Sequence, residues 1–339
     1  MSAALVAVDG LTGDVLAAVG GDPAKRDDFD RVRFARRQPG STVKPLVLLE
    51  ALERCGDRET LYNSRRVVDR PMTIALPSGD WNPVNPDLRH RGVVDLRTAL
   101  VDSLNVPLVR VARWCGFDAT ADRFRTAGLD VPDSPPPSFV LGALEVTPSQ
   151  LASAFTTFVD LGRRRHPRVV ARASTSAGRR LGRSEPRSSR VGRPSTAYLV
   201  RDLLRESGGA AVGAVAFGGQ EVVGKTGTSS EQRDAWFVGA VGSMVVAVWV
   251  GLDEDGSLGL SGSEAAAPIW RSFARNSAVA LRPWSAPRPR AVVERWIDPK
   301  TGLRKRSSRG GARREIFRHG AEPPRKRFFS RRAPERPIE

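Results

Sequence analysis

The sequence predicts an α+β protein in which an antiparallel sheet is flanked by a helical layer. Segments that alternate apolar and polar residues lie near both ends of the chain, and helical patterns occupy the middle. A chain of 339 residues buries a sizeable core, and a hydrophobic content of 40% is too high for a disordered protein. No run of about 18 apolar residues is present, so the sequence predicts no membrane-spanning segment.

The predicted strands share two-residue periodicity and lie at 3–9, 15–19, 222–229, 235–241 and 244–252. The first pair is joined by a glycine-containing turn at 10–13, and the last pair turns at Gly242-Ser243. Residues 57–94, which include the motif Trp81-Asn82-Pro83-Val84-Asn85, are predicted to be irregular.

The predicted helices share apolar spacing of three to four residues and lie at about 41–54, 96–102, 106–114, 119–127, 147–159, 196–206 and 265–276. Asp95 is expected to cap the second of these helices. Pro45, Pro107 and Pro148 fall in first turns, where proline breaks no internal hydrogen bond. Residues 46–49 are apolar on every side, which indicates a helix that is buried all round.

Residues 1–281 are predicted to form one domain, with an arginine-rich loop or insert at about 163–193. Residues 282–339 are predicted to be a basic, Pro- and Arg-rich tail that is ordered only in part. The net charge of +17 is concentrated in these two segments. Such charge attracts polyanions, among them anionic lipid head groups, acidic wall polymers or nucleic acid, and it also occurs in solvated loops of arginine-rich proteins. No nucleic-acid-binding motif accompanies the charge, so no nucleic-acid partner is expected.

Cysteine and histidine are sparse in this sequence. Cys55 and Cys115 lie far apart, and His90, His166 and His319 are scattered without ligand spacing. The sequence therefore predicts neither a disulfide framework nor a metal site, and it indicates no cofactor.

The string Ser41-Thr42-Val43-Lys44 is the first candidate for catalysis. Residues i and i+3 share one helix face, so Lys44 would project beside Ser41. A serine hydroxyl needs a base to accept its proton, and a lysine held neutral in a desolvated, cation-rich site can be that base. The alternative is a serine that caps the helix, followed by an exposed lysine.

Two further strings complete the set of candidate residues. Ser103-Leu104-Asn105 lies in a turn between two helices, where Ser103 and Asn105 are either helix caps or polar groups of a site. Lys225-Thr226-Gly227-Thr228 lies on a predicted strand. A lysine and hydroxyl groups on a strand edge can bind a carboxylate, and glycine lets a ligand backbone approach; the alternative is an ordinary edge lysine beside a bulge.

Together the strings read Ser-x-x-Lys, Ser-x-Asn and Lys-Thr-Gly, and the chain resembles the transpeptidase domain of class A penicillin-binding proteins. The resemblance covers essentially residues 3–325. It also includes Arg37-Gln38-Pro39-Gly40-Ser41, the Trp81–Asn85 motif and Arg233-Asp234-Ala235-Trp236-Phe237-Val238-Gly239. It implies a β-lactamase/transpeptidase-like fold and an extracytoplasmic location, with the family's N-terminal anchor and glycosyltransferase domain absent from this sequence.

The resemblance implies a serine D,D-transpeptidase that cross-links peptidoglycan stem peptides and is acylated by β-lactams. Ser41 would be the nucleophile, Ser103 would relay a proton to the leaving amine, and Asn105 would orient Lys44. Lys225, Thr226 and Thr228 would bind the terminal carboxylate, and the N–H groups of Ser41 and Thr228 would form an oxyanion hole.

Two other functions remain open on the sequence. One is a D,D-carboxypeptidase or β-lactamase-like hydrolase, although no glutamate is placed to activate water, since Glu145 belongs to a helix start. The other is a catalytically silent wall-binding module, which the intact Ser41–Lys44 pair disfavours. Pro86 and His90 stand where the family usually carries aromatic residues, and the insert at 163–193 has no family counterpart.

Overall fold

The computed structural model describes residues 1–21, 29–53, 61–213, 217, 219–254, 256–278, 284–325 and 336–339. The α-helices, in chain order, are α1 Arg31–Phe34, α2 Lys44–Glu53, α3 Leu96–Val101, α4 Val106–Cys115, α5 Phe117–Thr126, α6 Pro148–Val159, α7 Pro194–Val212 and α8 Ala266–Ala278. Short 3-10 helices lie at Gly40–Val43, Pro137–Leu141 and Ser230–Gln232. Within the described residues, none of the helices combines the length and the apolar composition needed to cross a bilayer.

The strands are β1 Ser2–Asp9, β2 Val15–Val19, β3 Arg66–Asp69, β4 Gly92–Asp95, β5 Arg163–Arg165, β6 Arg172–Ser174, β7 Arg180–Arg183, β8 Ser188–Arg190, β9 Val222–Thr228, β10 Asp234–Val241, β11 Met244–Gly251, β12 Val292–Ile297, β13 Arg304–Lys305 and β14 Arg313–Arg318. The main sheet has the order β2-β1-β11-β10-β9, and every neighbouring pair is antiparallel. The N-terminal strand β1 therefore pairs with β11, which comes more than 230 residues later in the chain, and β9 forms one edge of the sheet.

Helices cover the main sheet on both faces. Alternate residues of β10, such as Trp236 and Val238, face a large core that also contains the apolar sides of α2, α4, α6 and α7. The residues between them, such as Phe237, face α8, where Trp270 packs edge-on against Phe237 with ring centroids 4.9 Å apart. Because both faces are buried, β10 and β11 are buried along their whole length. The predicted α+β arrangement is confirmed.

The helix predicted from Ser41 begins later than expected. Gly40 has a φ of +52°, and Ser41 lies in a 3-10 turn in which the Lys44 N–H bonds to the Ser41 carbonyl. The α-helix starts only at Lys44, and the predicted end at Arg54 lies outside the described residues. In 3-10 geometry the side chains of residues i and i+3 eclipse, so Ser41 and Lys44 still share one face.

The arginine-rich segment is more regular than a loop. It forms two small ribbons, in which β5 pairs with β8 and β6 pairs with β7. Residues 57–94, predicted to be irregular, contain β3, which pairs with β4. Local composition did not reveal these strands because they are only three or four residues long, and those of the arginine-rich segment are mostly exposed.

Residues 292–318 contain the three-stranded sheet β13-β12-β14 within the segment predicted to be a tail. The sheet is tied to the helical layer by Arg97, whose guanidinium contacts the fully buried carboxylate of Glu315 at 2.6 Å and also pairs with Asp202. The division at residue 281 remains a prediction.

Cys115 is disulfide-bonded, and Cys55, the only other cysteine of the sequence, lies outside the described residues. The prediction of no disulfide framework is therefore wrong at Cys115. The wide spacing of the cysteines along the chain does not prevent a disulfide, because folding brings distant segments together.

Candidate active site

Ser41 is held at the mouth of a cleft by its short 3-10 turn. A Cβ built on Gly40 would lie 2.3 Å from the Thr228 carbonyl oxygen, and one built on Gly142 would lie 2.2 Å from the Gly40 carbonyl oxygen. Neither glycine therefore has room for a side chain, and both have positive φ. The backbone around Ser41 is thus pressed between β9 and the loop at residue 142, which fixes the position of its hydroxyl.

Strand β9 packs equally closely against the 3-10 turn Gly40–Val43, called the serine turn below. A Cβ on Gly227 would lie 2.3 Å from the Pro39 carbonyl oxygen. The Ser229 N–H bonds to the Asp234 carbonyl of β10 at 3.0 Å. Because bonded and non-bonded positions alternate along an antiparallel strand, the N–H and C=O of Thr228 point away from β10 and towards the serine turn. Glycine at 227 is therefore required for close packing, which the sequence could only suggest.

The Lys44 amine lies completely buried at the floor of the cleft. Its Nζ donates to the Ser103 carbonyl and to Asn105 Oδ1, both at 2.6 Å, and contacts Ser103 Oγ at 3.3 Å. Within the described residues, no hydrogen bond joins Lys44 Nζ to Ser41 Oγ. The three N–H donors of the charged amine match these three oxygens. Loss of one proton leaves two donors for the two short bonds and a lone pair that can accept a proton.

The Ser103 hydroxyl lies between two lysines. Its oxygen accepts hydrogen bonds from Lys44 at 3.3 Å and from Lys225 at 3.0 Å. Its own proton is therefore directed elsewhere. Ser103 also has a φ of +56°, a left-handed conformation that a serine rarely adopts and that is common at functional sites.

Burial changes the protonation of both lysines. Desolvation lowers the pKa of Lys44 well below its ordinary value, and the nearby positive charge of Lys225 lowers it further. Burial alone lowers the pKa of Lys225 to about 8. Since the charged form of an amine loses hydration on burial, both shifts favour the neutral base. Burial and the charge of Lys225 thus both favour the neutral form of Lys44, whereas Lys225, with a pKa of about 8, remains mostly charged near neutral pH.

A cavity of about 650 Å³ joins these groups. Among the predicted site residues, Ser41, Ser103, Asn105, Thr226 and Thr228 line it. Lys44 and Lys225 lie beneath it, and Gly227 forms the close contact behind it. The structure therefore brings all eight predicted residues together, while their individual roles remain predictions.

Sequence reasoning missed several groups around this cavity. Glu231 and Gln232 line its rim, both with positive φ, and the Glu231 carboxylate is held by Arg233 at 2.7 Å. Asn85 lies behind the cavity wall, where its side chain contacts the backbone of Asn105. The Trp81–Asn85 motif was the available signal for Asn85, whereas Glu231 and Gln232 carried none. Within the described residues, no group of three or more His, Cys, Asp or Glu side chains could hold a metal ion.

Residues 3–275 match the family model described as the penicillin binding protein transpeptidase domain. Over 288 residues the chain is 33% identical to penicillin-binding protein 1A of Neisseria lactamica, which covers 81% of this chain and 36% of that protein. It is also 33% identical to penicillin-binding protein 1B of Vibrio cholerae, over 80% of this chain and 35% of that protein. The chain thus spans about a third of the length of these curated relatives.

Solved structures show the same likeness. Penicillin-binding protein 1A from Haemophilus influenzae superposes with a TM-score of 0.85 at 25% identity, over 96% of this chain and 54% of that chain. The PonA1 protein from Mycobacterium tuberculosis, solved in complex with penicillin V, has a TM-score of 0.72 at 26% identity, over 85% of this chain and 80% of that chain.

Proposed function

Because this chain belongs to the penicillin-binding protein transpeptidase family, we propose that its cleft carries out serine D,D-transpeptidation on peptidoglycan stem peptides. The observation that carries the proposal is the Ser103 hydroxyl, which accepts bonds from two buried lysine amines in the cavity that Ser41 lines. β-Lactams, such as the penicillin V held by the PonA1 protein, would acylate the same serine.

Acylation begins with proton transfer from the Ser41 hydroxyl to the neutral Lys44 amine. Ser41 Oγ then forms a bond to the carbonyl carbon of the penultimate D-Ala, and the carbonyl electron pair moves onto its oxygen. Collapse of this intermediate breaks the C–N bond, and the departing amine of the terminal D-Ala receives a proton through Ser103. The products are an ester on Ser41 and free D-Ala. The proton taken from Ser41 passes from Lys44 through Ser103 to the amine of D-Ala, and Lys44 is neutral again.

Two backbone N–H groups would stabilise the developing oxyanion. The Ser41 N–H lies in the first turn of its 3-10 helix, where N–H groups have no intrahelical acceptor. The Thr228 N–H faces away from β10, towards the serine turn. Loss of one such donor typically raises the activation barrier by about 3–4 kcal/mol.

The terminal carboxylate of the donor peptide would bind at the edge of β9. Lys225 supplies a positive charge below its pKa of about 8. Thr228 Oγ1 accepts the N–H of Gly262 at 3.1 Å, so its own proton can donate to the carboxylate. Thr226 lines the same cavity and adds a second hydroxyl.

In the second half-reaction, an amine of a neighbouring stem peptide attacks the ester and displaces Ser41 Oγ, and the amine proton returns to the serine. A D,D-carboxypeptidase or β-lactamase-like hydrolase would use water as the acceptor instead. Two described acidic residues line the cavity, and both are paired with arginine: the exposed Glu231 with Arg233, and Asp102 with Arg91. This pairing favours transfer over hydrolysis.

Labelling with a fluorescent penicillin tests the nucleophile. Ser41→Ala is expected to abolish labelling while the circular dichroism spectrum stays unchanged, and the exposed Ser188→Ala variant serves as the control. Intact mass and peptide mapping should place the adduct on the segment that contains Ser41. A D-Ala-D-Ala donor offered with and without an amine acceptor separates transfer from hydrolysis. Adduct formation on Ser41→Ala would refute the assignment.

We propose an extracytoplasmic location, which the family of the chain supports and which the disulfide at Cys115 fits, since disulfides persist in oxidising compartments. We also propose that the ribbon β6–β7 contacts an anionic membrane surface. Its arginines are exposed, and so are the apolar side chains of Val169, Val170 and Leu181, a mixture that suits lipid head groups better than a polar polymer. Co-sedimentation with vesicles of anionic lipid, but not of neutral lipid, tests this; binding to an acidic wall polymer instead would contradict it.

A further inference from the structure

We infer that Asn85 and Asp69 form a positioning unit, which fixes the place of the Asn105 amide and, through it, the place of the Lys44 amine. The inference rests on the proposed function and adds to it residues outside the three motifs. Neither Asn85 nor Asp69 bonds to Lys44, whose amine bonds to Ser103 and Asn105. Any effect of the two residues on the reaction therefore passes through Asn105.

The side chain of Asn85 is buried, and all of its hydrogen-bonding groups are engaged. Its Oδ1 accepts the backbone N–H groups of Asn105 at 2.9 Å and Val106 at 3.1 Å. Its Nδ2 donates to Asp69 Oδ1 at 2.8 Å and to the Arg89 carbonyl at 2.7 Å. A flipped amide would place its donors against two N–H groups, so only one orientation is allowed.

Asn85 also takes over a task that Asn105 would otherwise perform. Asn105 is the N-cap residue of α4, and a capping asparagine normally accepts an N–H of its own first turn through Oδ1. Here the Asn105 side chain makes no such bond, and its Oδ1 instead accepts Lys44 Nζ at 2.6 Å. Asn85 caps the helix from another segment, and Pro107 removes one donor from the first turn. The Asn105 amide is thereby released for Lys44.

The neighbouring residue completes the hold on Asn105. Asn105 Nδ2 donates to the carbonyl of Val84, the residue before Asn85, at 2.6 Å. The pair Val84-Asn85 therefore binds both the backbone and the side chain of Asn105. The orientation of the Asn105 amide is therefore decided, because Nδ2 faces Val84 and Oδ1 must face Lys44. A shift of Val84-Asn85 would move the Lys44 acceptor with it.

Asp69 anchors Asn85 from the end of β3. Its carboxylate is fully buried and accepts the Arg91 N–H at 2.8 Å as well as Asn85 Nδ2, and His90 Nδ1 lies 3.4 Å away. A buried carboxylate that accepts these bonds has little freedom to move. The chain Asp69–Asn85–Asn105–Lys44 is therefore a continuous series of hydrogen bonds from the sheet β3–β4 to the base.

The test measures two quantities after rapid mixing with a saturating fluorescent penicillin: the acylation rate constant and the fraction of chain finally labelled. Asn85→Leu removes all four hydrogen bonds of the Asn85 side chain. A displacement of about 1 Å at a reacting group costs about 100-fold in rate. We expect the rate constant to fall about 100-fold, while the labelled fraction stays near that of the wild type. A variant that is only less stable would lose labelled fraction and keep its rate constant.

Asp69→Asn provides the second variant. In either orientation, the new amide places an N–H donor against the N–H of Asn85 or against that of Arg91, so we expect the rate constant to fall about tenfold. Asp87→Asn is the matched control, because the exposed Asp87 carboxylate lies in the same segment and accepts hydrogen bonds from Arg89 and Arg91 rather than from Asn85.

Wild-type rate constants in Asn85→Leu and Asp69→Asn would overturn the inference. These results leave the proposed function intact as long as the wild type is labelled on Ser41. Absence of wild-type labelling would instead refute the proposed function, and this inference with it.

Discussion

Replacing Lys225 by arginine separates the charge of this residue from its ability to titrate. Burial lowers the pKa of Lys225 from 10.5 to about 8, so the amine loses its proton within an accessible pH range. Above that pH, the charged fraction falls about tenfold for each pH unit. Arginine remains charged throughout. The proposed carboxylate contact should therefore weaken above about pH 8 in the wild type and persist in Lys225→Arg.

The expected pH profile of the second-order acylation rate constant has two limbs. On the acid side, the rate rises with pH as Lys44, whose pKa is lowered by burial, becomes neutral. On the alkaline side, the wild-type rate should fall about fivefold between about pH 8 and about pH 9 as Lys225 loses its charge, and about tenfold for each further pH unit. In Lys225→Arg the acid limb should remain, and the alkaline limb should move beyond the range of the measurement.

The assay is labelling by a fluorescent penicillin at a series of pH values, with circular dichroism to verify the fold at each. The exposed Lys300→Arg variant controls for the substitution itself and should keep the wild-type profile. A penicillin methyl ester supplies a second measurement that needs no variant. It lacks the carboxylate, so its slower reaction with the wild type should show no decline near pH 8. A decline at about pH 8 that persists in Lys225→Arg would show that another group titrates there, and would refute the carboxylate role.

Two further predictions concern packing and stability. Gly227→Ala would place a Cβ 2.3 Å from the Pro39 carbonyl oxygen, so it should slow penicillin acylation about 100-fold, whereas Gly182→Ala, with open space around its Cβ, should match the wild type in the same assay. Arg97→Ala leaves the buried Glu315 carboxylate without its closest partner and should lower the free energy of unfolding in urea by about 3–5 kcal/mol. The exposed Arg314→Ala should lower it by less than about 1 kcal/mol; equal losses in the two arginine variants would contradict this account.

The fold class was predictable because its main elements carry local signals. Alternating residues marked β9, β10 and β11, and Asp95 marked the start of α3, whose Thr98 N–H it accepts at 2.8 Å. The helix at Ser41 was placed about one turn too early, because a 3-10 turn precedes it, in which Gly40 has positive φ and packs closely against Thr228. Such contacts lie far away in the sequence, so no local pattern records them.

The sequence by itself determined which chemical groups the site contains: a serine three residues before a lysine, a Ser-x-Asn turn and a Lys-Thr-Gly strand. Only the tertiary structure decided what those groups can do. Burial by segments from all parts of the chain lowers the pKa of both lysines, and desolvation depends on three-dimensional surroundings rather than on sequence neighbours. The role inferred for Asn85 has the same origin, because its partners Asp69 and Asn105 meet only after β3 and α4 pack together.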